Sequence, residues 1–78
     1  MINIEKLHRV ISDVLGVPVE HISDESSPDN IDKWDSLTHI NLIIAIESEF
    51  DVSLTPEDTM DMLSVKLIRI ILEDKVKD

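Results

Sequence analysis

Between Ile40 and Ile46 every residue except Asn41 is apolar, and no single stripe of a helix can hold them all. A surface helix shows one apolar face, whereas a run that is apolar on almost every side has to be covered from several directions. A chain of 78 residues buries only roughly 60% of its unfolded surface, which leaves room for one core and one such helix. The expectation is a single all-α domain over residues 1–78, with a central helix over 35–50 that every other element touches.

The flanking patterns agree with a helical bundle. Ile4, Leu7, Val10, Ile11, Val14 and Leu15 recur at helical spacing with charged residues between them, and Asn3 can cap the start. Gly16 suits the left-handed residue that ends such a helix, and Pro18 follows it. Residues 17–33 lose this periodicity and gather Pro, Ser, Asp and Asn. They read as a long loop pinned by Val19, Ile22 and Ile31, with a short turn between Pro18 and Ile22. Thr55-Pro56-Glu57-Asp58 combines an N-cap, a proline at the first helical position and acids in the first turn, which predicts a short helix to about Met62. Ser64 then caps a last helix with Val65, Leu67, Ile68, Ile71 and Leu72 inward, closing near Lys75 and Lys77. Three main helices and one short one, with a long first loop, make a four-helix bundle.

Charge and composition narrow the function. Seventeen acids against seven Lys and Arg give a net charge of -10, a surface that repels phosphate backbones and anionic lipid heads. Nucleic acid and membrane partners are therefore not expected, and basic protein patches are. The absence of cysteine excludes thiolate catalysis and thiolate metal sites, so any thiol chemistry has to be imported. The first ten residues mix Glu5, Lys6, His8 and Arg9 with apolar ones, unlike a signal peptide, and no apolar run is long enough to span a bilayer. A soluble, cytoplasmic monomer is the expectation.

Trp34-Asp35-Ser36-Leu37 precedes the apolar run. With Asp35 as N-cap, Ser36 takes the first helical position, where unpaired backbone N–H groups and the positive end of the helix dipole would stabilise a phosphodiester built on its hydroxyl. On this dipeptide alone a plain helix start is the commoner meaning. His39 lies three residues on, but a serine in a first helical turn lacks the sharp elbow and oxyanion loop that hydrolysis needs, so no catalytic residue is assigned. The loop aspartates fail the calcium-loop pattern, since position twelve counted from Asp29 is Ile40, and no metal site is expected. His8 and His21 have no ligand spacing and read as solvated.

Taken in order, Asp35-Ser36-Leu37, Ile40-Asn41-Leu42, Ala45-Ile46-Glu47-Ser48-Glu49-Phe50, Pro56-Glu57-Asp58 and Val65 resemble the acyl carrier protein family, the phosphopantetheine-binding carriers of the standalone type. The resemblance implies an acyl-carrier-like bundle in which Ser36 receives 4'-phosphopantetheine from coenzyme A through a separate phosphopantetheinyl transferase. Asp35 would help present it, and Leu37 and Trp34 would lie near the arm. It also implies that acyl-loading and acyl-processing enzymes with basic docking patches meet a face that includes His39, Asn41, Glu47, Glu57 and Asp58. The cargo would be acyl groups of fatty acid, polyketide or other specialised pathways. An aminoacyl or peptidyl carrier, or an acidic helical interaction module that never carries the arm, remain as alternatives.

The chain departs from the family pattern in two places. Lys33 stands where a glycine is frequent, and Trp34 directly precedes the aspartate, either packing over the helix start and the arm or anchoring the loop to the core. Thr38 and Asn41 replace positions that are often acidic, which points away from the enzymes of primary fatty acid synthesis. The surplus of apolar residues on the central helix further suggests that, if the bundle loosens, a cargo chain enters between Leu42, Ile46 and the inward residues of the last helix, such as Ile68.

Overall fold

The computed structural model describes residues 2–76, and within them the chain forms four α-helices and no strand. Helix α1 spans Ile4–Leu15. Asn3 caps it by accepting the Lys6 N–H, and Gly16 closes it at φ 69°, with its own N–H and that of Val17 both donating to Ser12 O. A positive φ at this closing residue is what makes glycine the natural choice there.

The long loop is less structureless than its composition suggests. A single 3-10 turn at Val19–His21 follows Pro18, and Ser26 is buried with its hydroxyl accepting from Ser23 N and donating to His21 O. Two loop carbonyls then satisfy the first turn of the last helix. Val65 N donates to Ser26 O at 2.9 Å and Lys66 N to Asp24 O at 3.1 Å, while Arg69 grips the Asp24 carboxylate at 3.0 Å. These links fasten the middle of the loop to the far side of the bundle. Ile22 is buried and Ile31 rests on the core, but Val19 faces solvent rather than pinning the loop.

Helix α2 spans Ser36–Phe50 and runs antiparallel to α1. Lys6 Nζ donates to Glu49 O at 2.8 Å and lies over the Phe50 ring at one end, and Lys33 Nζ reaches Gly16 O at the other. Asp51 ends α2 at φ 54°, a left-handed conformation that aspartate tolerates. The expected cover on several sides is not found. Only Leu42 and Ile46 of α2 are fully buried, Ile43 and Ala45 are half-buried, and Leu37, Ile40 and Ile44 stand 70%, 55% and 59% exposed. The bundle has too few elements to enclose a whole helix, so α2 buries one stripe and leaves an apolar face in solvent.

Helix α3, Pro56–Met60, is shorter than expected. Its chain turns inward after Asp61, so that Met62 drops into the core instead of extending the helix. Helix α4, Val65–Lys75, is capped by the Ser64 hydroxyl, which accepts from Leu67 N. Val65, Ile68 and Leu72 form its buried stripe at three- and four-residue spacing. Leu67 lies one position off that stripe and is exposed, as is Ile4 at the edge of α1. Lys75 forms an ion pair with Asp58 of α3 at 2.9 Å; the expected role of Lys77 lies outside the described residues. Leu7, Ile11, Leu42, Ile46, Ile68 and Leu72 are fully enclosed and make the centre of the core.

Candidate functional site

The start of α2 is exposed, and the chemistry gathers there. Asp35 is the N-cap, extended at φ -101° and ψ -175°, and its carboxylate accepts the Thr38 N–H at 2.9 Å. That bond, supported by the Thr38 hydroxyl, holds the Asp35 carboxyl below the usual aspartate range. Ser36 is then the first helical residue, with its hydroxyl open to water and the uncapped N–H groups of the first turn beside it. It opens a helix of fifteen residues, so the local potential favours an anion.

Beside Ser36 lies a cleft of about 510 Å³, lined by Pro28, Trp34, Asp35, Ser36, His39, Ile40, Met62 and Leu63. Its walls come from the end of the long loop, the first turns of α2 and the segment after α3. Asp35 and His39 are its titratable members; the rest is apolar apart from the serine hydroxyl. A second concavity of about 560 Å³, on the outer side of the loop near His21 and Lys33, is not lined by Ser36.

Trp34 is only 3% exposed, so the indole is a wall of the molecule rather than a flap over it. Its Nε1–H donates to His39 Nδ1 at 2.9 Å, and His39 Nε2 lies 3.1 Å from Thr59 O on α3. His39 is half-buried, and both its ring nitrogens are engaged away from Ser36. A serine–histidine relay is not assembled.

Of the residues expected to meet partners, Asn41 and Glu57 are exposed. Glu47 instead accepts Leu54 N at 2.8 Å. Asp58 closes a capping box with Thr55, and Lys75 together with the Thr55 backbone holds its carboxyl below the ordinary value. His8, read as solvated, has a buried Nε2 with no hydrogen-bond partner, whereas His21 is exposed. Sequence reasoning missed Pro28, Met62 and Leu63 as cleft walls and Ile40 and Ile44 as surface. Side chains of this type carry no mark that separates a wall from a core.

The phosphopantetheine attachment site family matches residues 5–68 of the chain, a span that contains the exposed helix start. The chain belongs to the acyl carrier protein family. It is 37% identical over 67 residues to the acyl carrier protein of Buchnera aphidicola subsp. Schizaphis graminum, a match covering 85% of each chain. It is 39% identical over 62 residues to that of Nitratidesulfovibrio vulgaris strain DP4, covering 80% of this chain and 82% of the other. The fold superposes on the solution structure of a holo acyl carrier protein from Geobacter metallireducens with a TM-score of 0.84 at 24% identity, over 96% of this chain and 86% of that one. Members of the family are carriers, not enzymes, and their cofactor is covalently attached 4'-phosphopantetheine. They work with phosphopantetheinyl transferases and acyl-processing enzymes.

Proposed function

We propose that Ser36 is the attachment point, and that one carrier domain over residues 1–78 shuttles thioester-bound acyl intermediates between biosynthetic enzymes. The observation that carries this is the exposed Ser36 hydroxyl at the first position of a fifteen-residue helix, beside an apolar cleft. In the loading step the Ser36 oxygen would bond to the phosphorus of the coenzyme A pyrophosphate that carries the pantetheine. The bond to the adenosine 3',5'-bisphosphate half breaks and that half leaves with the electron pair. The hydroxyl proton would pass to a base on the transferase, since among the described residues beside Ser36 His39 is engaged elsewhere and Asp35 is held by Thr38.

The residues of the helix start fit such a group. The uncapped N–H groups of the first turn face the position a phosphodiester would occupy, and the dipole of α2 favours its charge. Because the Asp35 carboxylate is already bonded to Thr38 N, it is turned toward the backbone, which lessens its conflict with that charge. The cofactor supplies a terminal thiol that holds the cargo as a thioester, which a chain without cysteine cannot provide. Pro28, Ile40, Met62 and Leu63 offer the arm an apolar wall. Leu42, Ile46 and Ile68 are fully enclosed, so cargo reaches the space between them only if the bundle loosens, whereas the cleft beside Ser36 is already open.

Partners dock on the exposed face of α2. Leu37, Ile40 and Ile44 are flanked by Thr38 and Asn41 rather than by acids, while Glu57 offers charge on α3. Such a face suits enzymes whose docking patch combines apolar contact with a few Lys or Arg, and it supports a specialised acyl pathway over primary fatty acid synthesis. The protein acts as a cytoplasmic monomer. Coexpression with a broad-specificity phosphopantetheinyl transferase, followed by intact mass measurement, tests the reading. The wild-type chain gains one arm and Ser36→Ala gains none; an unmodified wild-type chain beside an actively loaded control carrier would overturn it.

A further inference from the structure

The hydrogen bonds around His39 admit one proton arrangement. An indole Nε1–H only donates, so the His39 Nδ1 at 2.9 Å from it must accept and carry no proton. A backbone carbonyl only accepts, so the His39 Nε2 at 3.1 Å from Thr59 O must carry the ring's single proton. The ring is therefore neutral and fixed in one tautomer. It joins three parts of the chain: the last loop residue before Asp35, the first turn of α2, and the short helix α3.

That junction matters because α3 has little else to hold it. None of its side chains is fully buried, and its ties are polar: Thr59 O to His39, Asp58 to Lys75, and its own capping box. The chain leaving α3 supplies Met62 and Leu63, which form one wall of the cleft beside Ser36, and Trp34 forms another. The Trp34 and His39 ring planes lie within 26° of each other with centroids 6.2 Å apart, the edge-to-edge arrangement that the N–H···N bond requires.

We infer that His39 is a positioning residue for the cleft: its neutral ring clamps Trp34 to Thr59, and a second proton on the ring opens the clamp. Protonated Nδ1 would set one N–H against the indole N–H, a contact with no acceptor, and the buried indole would have to turn or lose its bond. The charges facing the ring are few. From α2, Asp35 offers its carbonyl to His39 N while its carboxylate faces Thr38; from α3, Asp58 is taken up by Lys75 and Thr55, and Glu57 and Asp61 lie outward. From the loop, Lys33 is occupied with Gly16 O, and the segment after α3 contributes only the apolar Met62 and Leu63. Among the described residues no carboxylate sits within ion-pair distance of the His39 ring to offset the lost bond. The consequence for an arm on Ser36 rests on the proposed function above, whereas the clamp itself does not.

The test uses the unmodified chain, so a failure of arm loading cannot be mistaken for a failure of the clamp. Trp34 is the only tryptophan, and its fluorescence reports on this site alone. Imidazole nitrogen NMR at pH 8 should show His39 protonated on Nε2. On lowering the pH to 5, across the range in which histidine side chains change charge, the Trp34 indole resonance and the Thr59 carbonyl should shift with the same midpoint as His39. Acrylamide quenching of Trp34 should rise severalfold over the same interval. His39→Gln can accept from the indole through its amide oxygen and donate to Thr59 through its amide nitrogen, so it should keep Trp34 protected at both pH values. His39→Phe, which has neither group, should leave Trp34 open at both. Protonation on Nδ1 at pH 8, a His39 titration that leaves Trp34 unmoved, or His39→Gln behaving like His39→Phe would each overturn the inference.

Discussion

Helices α1 and α2 lie side by side and draw on the same residue types, yet they treat them differently. In α1, Leu7, Val10, Ile11 and Leu15 all lie on one stripe and all are buried. In α2, apolar residues point in every direction, and only Leu42 and Ile46 are enclosed while Leu37, Ile40 and Ile44 stay in water. Where polar residues fill the outer face, periodicity identifies the buried side directly. Where they do not, the pattern says that the helix is apolar but not which side is covered, because cover is decided by how many neighbours the chain can supply. An apolar face left open by a small bundle is the surface on which the proposed docking of partner enzymes depends.

Truncation is the most forceful way to break this comparison. Ile11→Ala in α1 and Leu42→Ala in α2 should each lose about 2–5 kcal/mol, since both leave a cavity in an enclosed core. Ile40→Ala and Ile44→Ala, in the same helix as Leu42, should change stability by no more than about 0.5 kcal/mol. Urea unfolding followed by circular dichroism measures all four. Equal losses at Leu42 and Ile44 would mean that α2 is covered on both sides after all. The exposed pair should instead slow acyl transfer to a partner enzyme without moving the unfolding midpoint.

A smaller effect separates the helix ends. Ser64 caps α4 through the Leu67 N–H, and the same turn is also held by the loop carbonyls of Asp24 and Ser26. Ser64→Ala should therefore cost about 1 kcal/mol, toward the lower end of cap losses if the loop bonds compensate. Thermal unfolding would show it, and a loss as large as that of Leu42→Ala would mean that the loop's hold on α4 depends on this cap.

These differences also mark how far the sequence was legible. The helix starts were, because Asn3, Asp35, Thr55 and Ser64 announce themselves as caps, and all four accept a backbone N–H of the first turn. Gly16 marked its own left-handed closure. The loop's attachment to α4 was not legible, since it runs through the backbone carbonyls of Asp24 and Ser26, and any residue carries a carbonyl. The bonds of His39 were not legible for a related reason. Helical spacing pairs it with Ser36, whereas its partners come from Trp34 before the helix and Thr59 twenty residues later. The cleft escaped notice because Pro28 is far from Met62 and Leu63 in sequence and meets them only after the chain turns in at Met62.

The smallest expected effect concerns acid, and it compares the start of α2 with α3. Asp35 is held below the usual aspartate range first by the Thr38 backbone N–H, and Asp58 first by Lys75 and then by the Thr55 backbone. A carboxyl with a lower pKa in the folded chain than in the unfolded one binds fewer protons when folded. Its contribution is therefore complete above the unfolded value, near pH 3.9, and is lost as the pH falls through the lower folded value. Asp35 is exposed and Asp58 only partly buried, and solvent screening keeps each contribution small. Between pH 7 and about pH 5 these two carboxylates should leave stability unchanged, and below about pH 4 both ties should weaken together. Asp35→Asn preserves a capping oxygen but removes the charge, so it should flatten part of the acid decline while leaving α2 formed. Asp58→Asn should remove the Lys75 attraction as well and loosen α3 already at neutral pH, visible as faster amide exchange at Thr59 and Met62. If Asp35→Asn instead loosened α3 and Asp58→Asn left it untouched, the division between a helix held by the core and a helix held by polar ties would have to be redrawn.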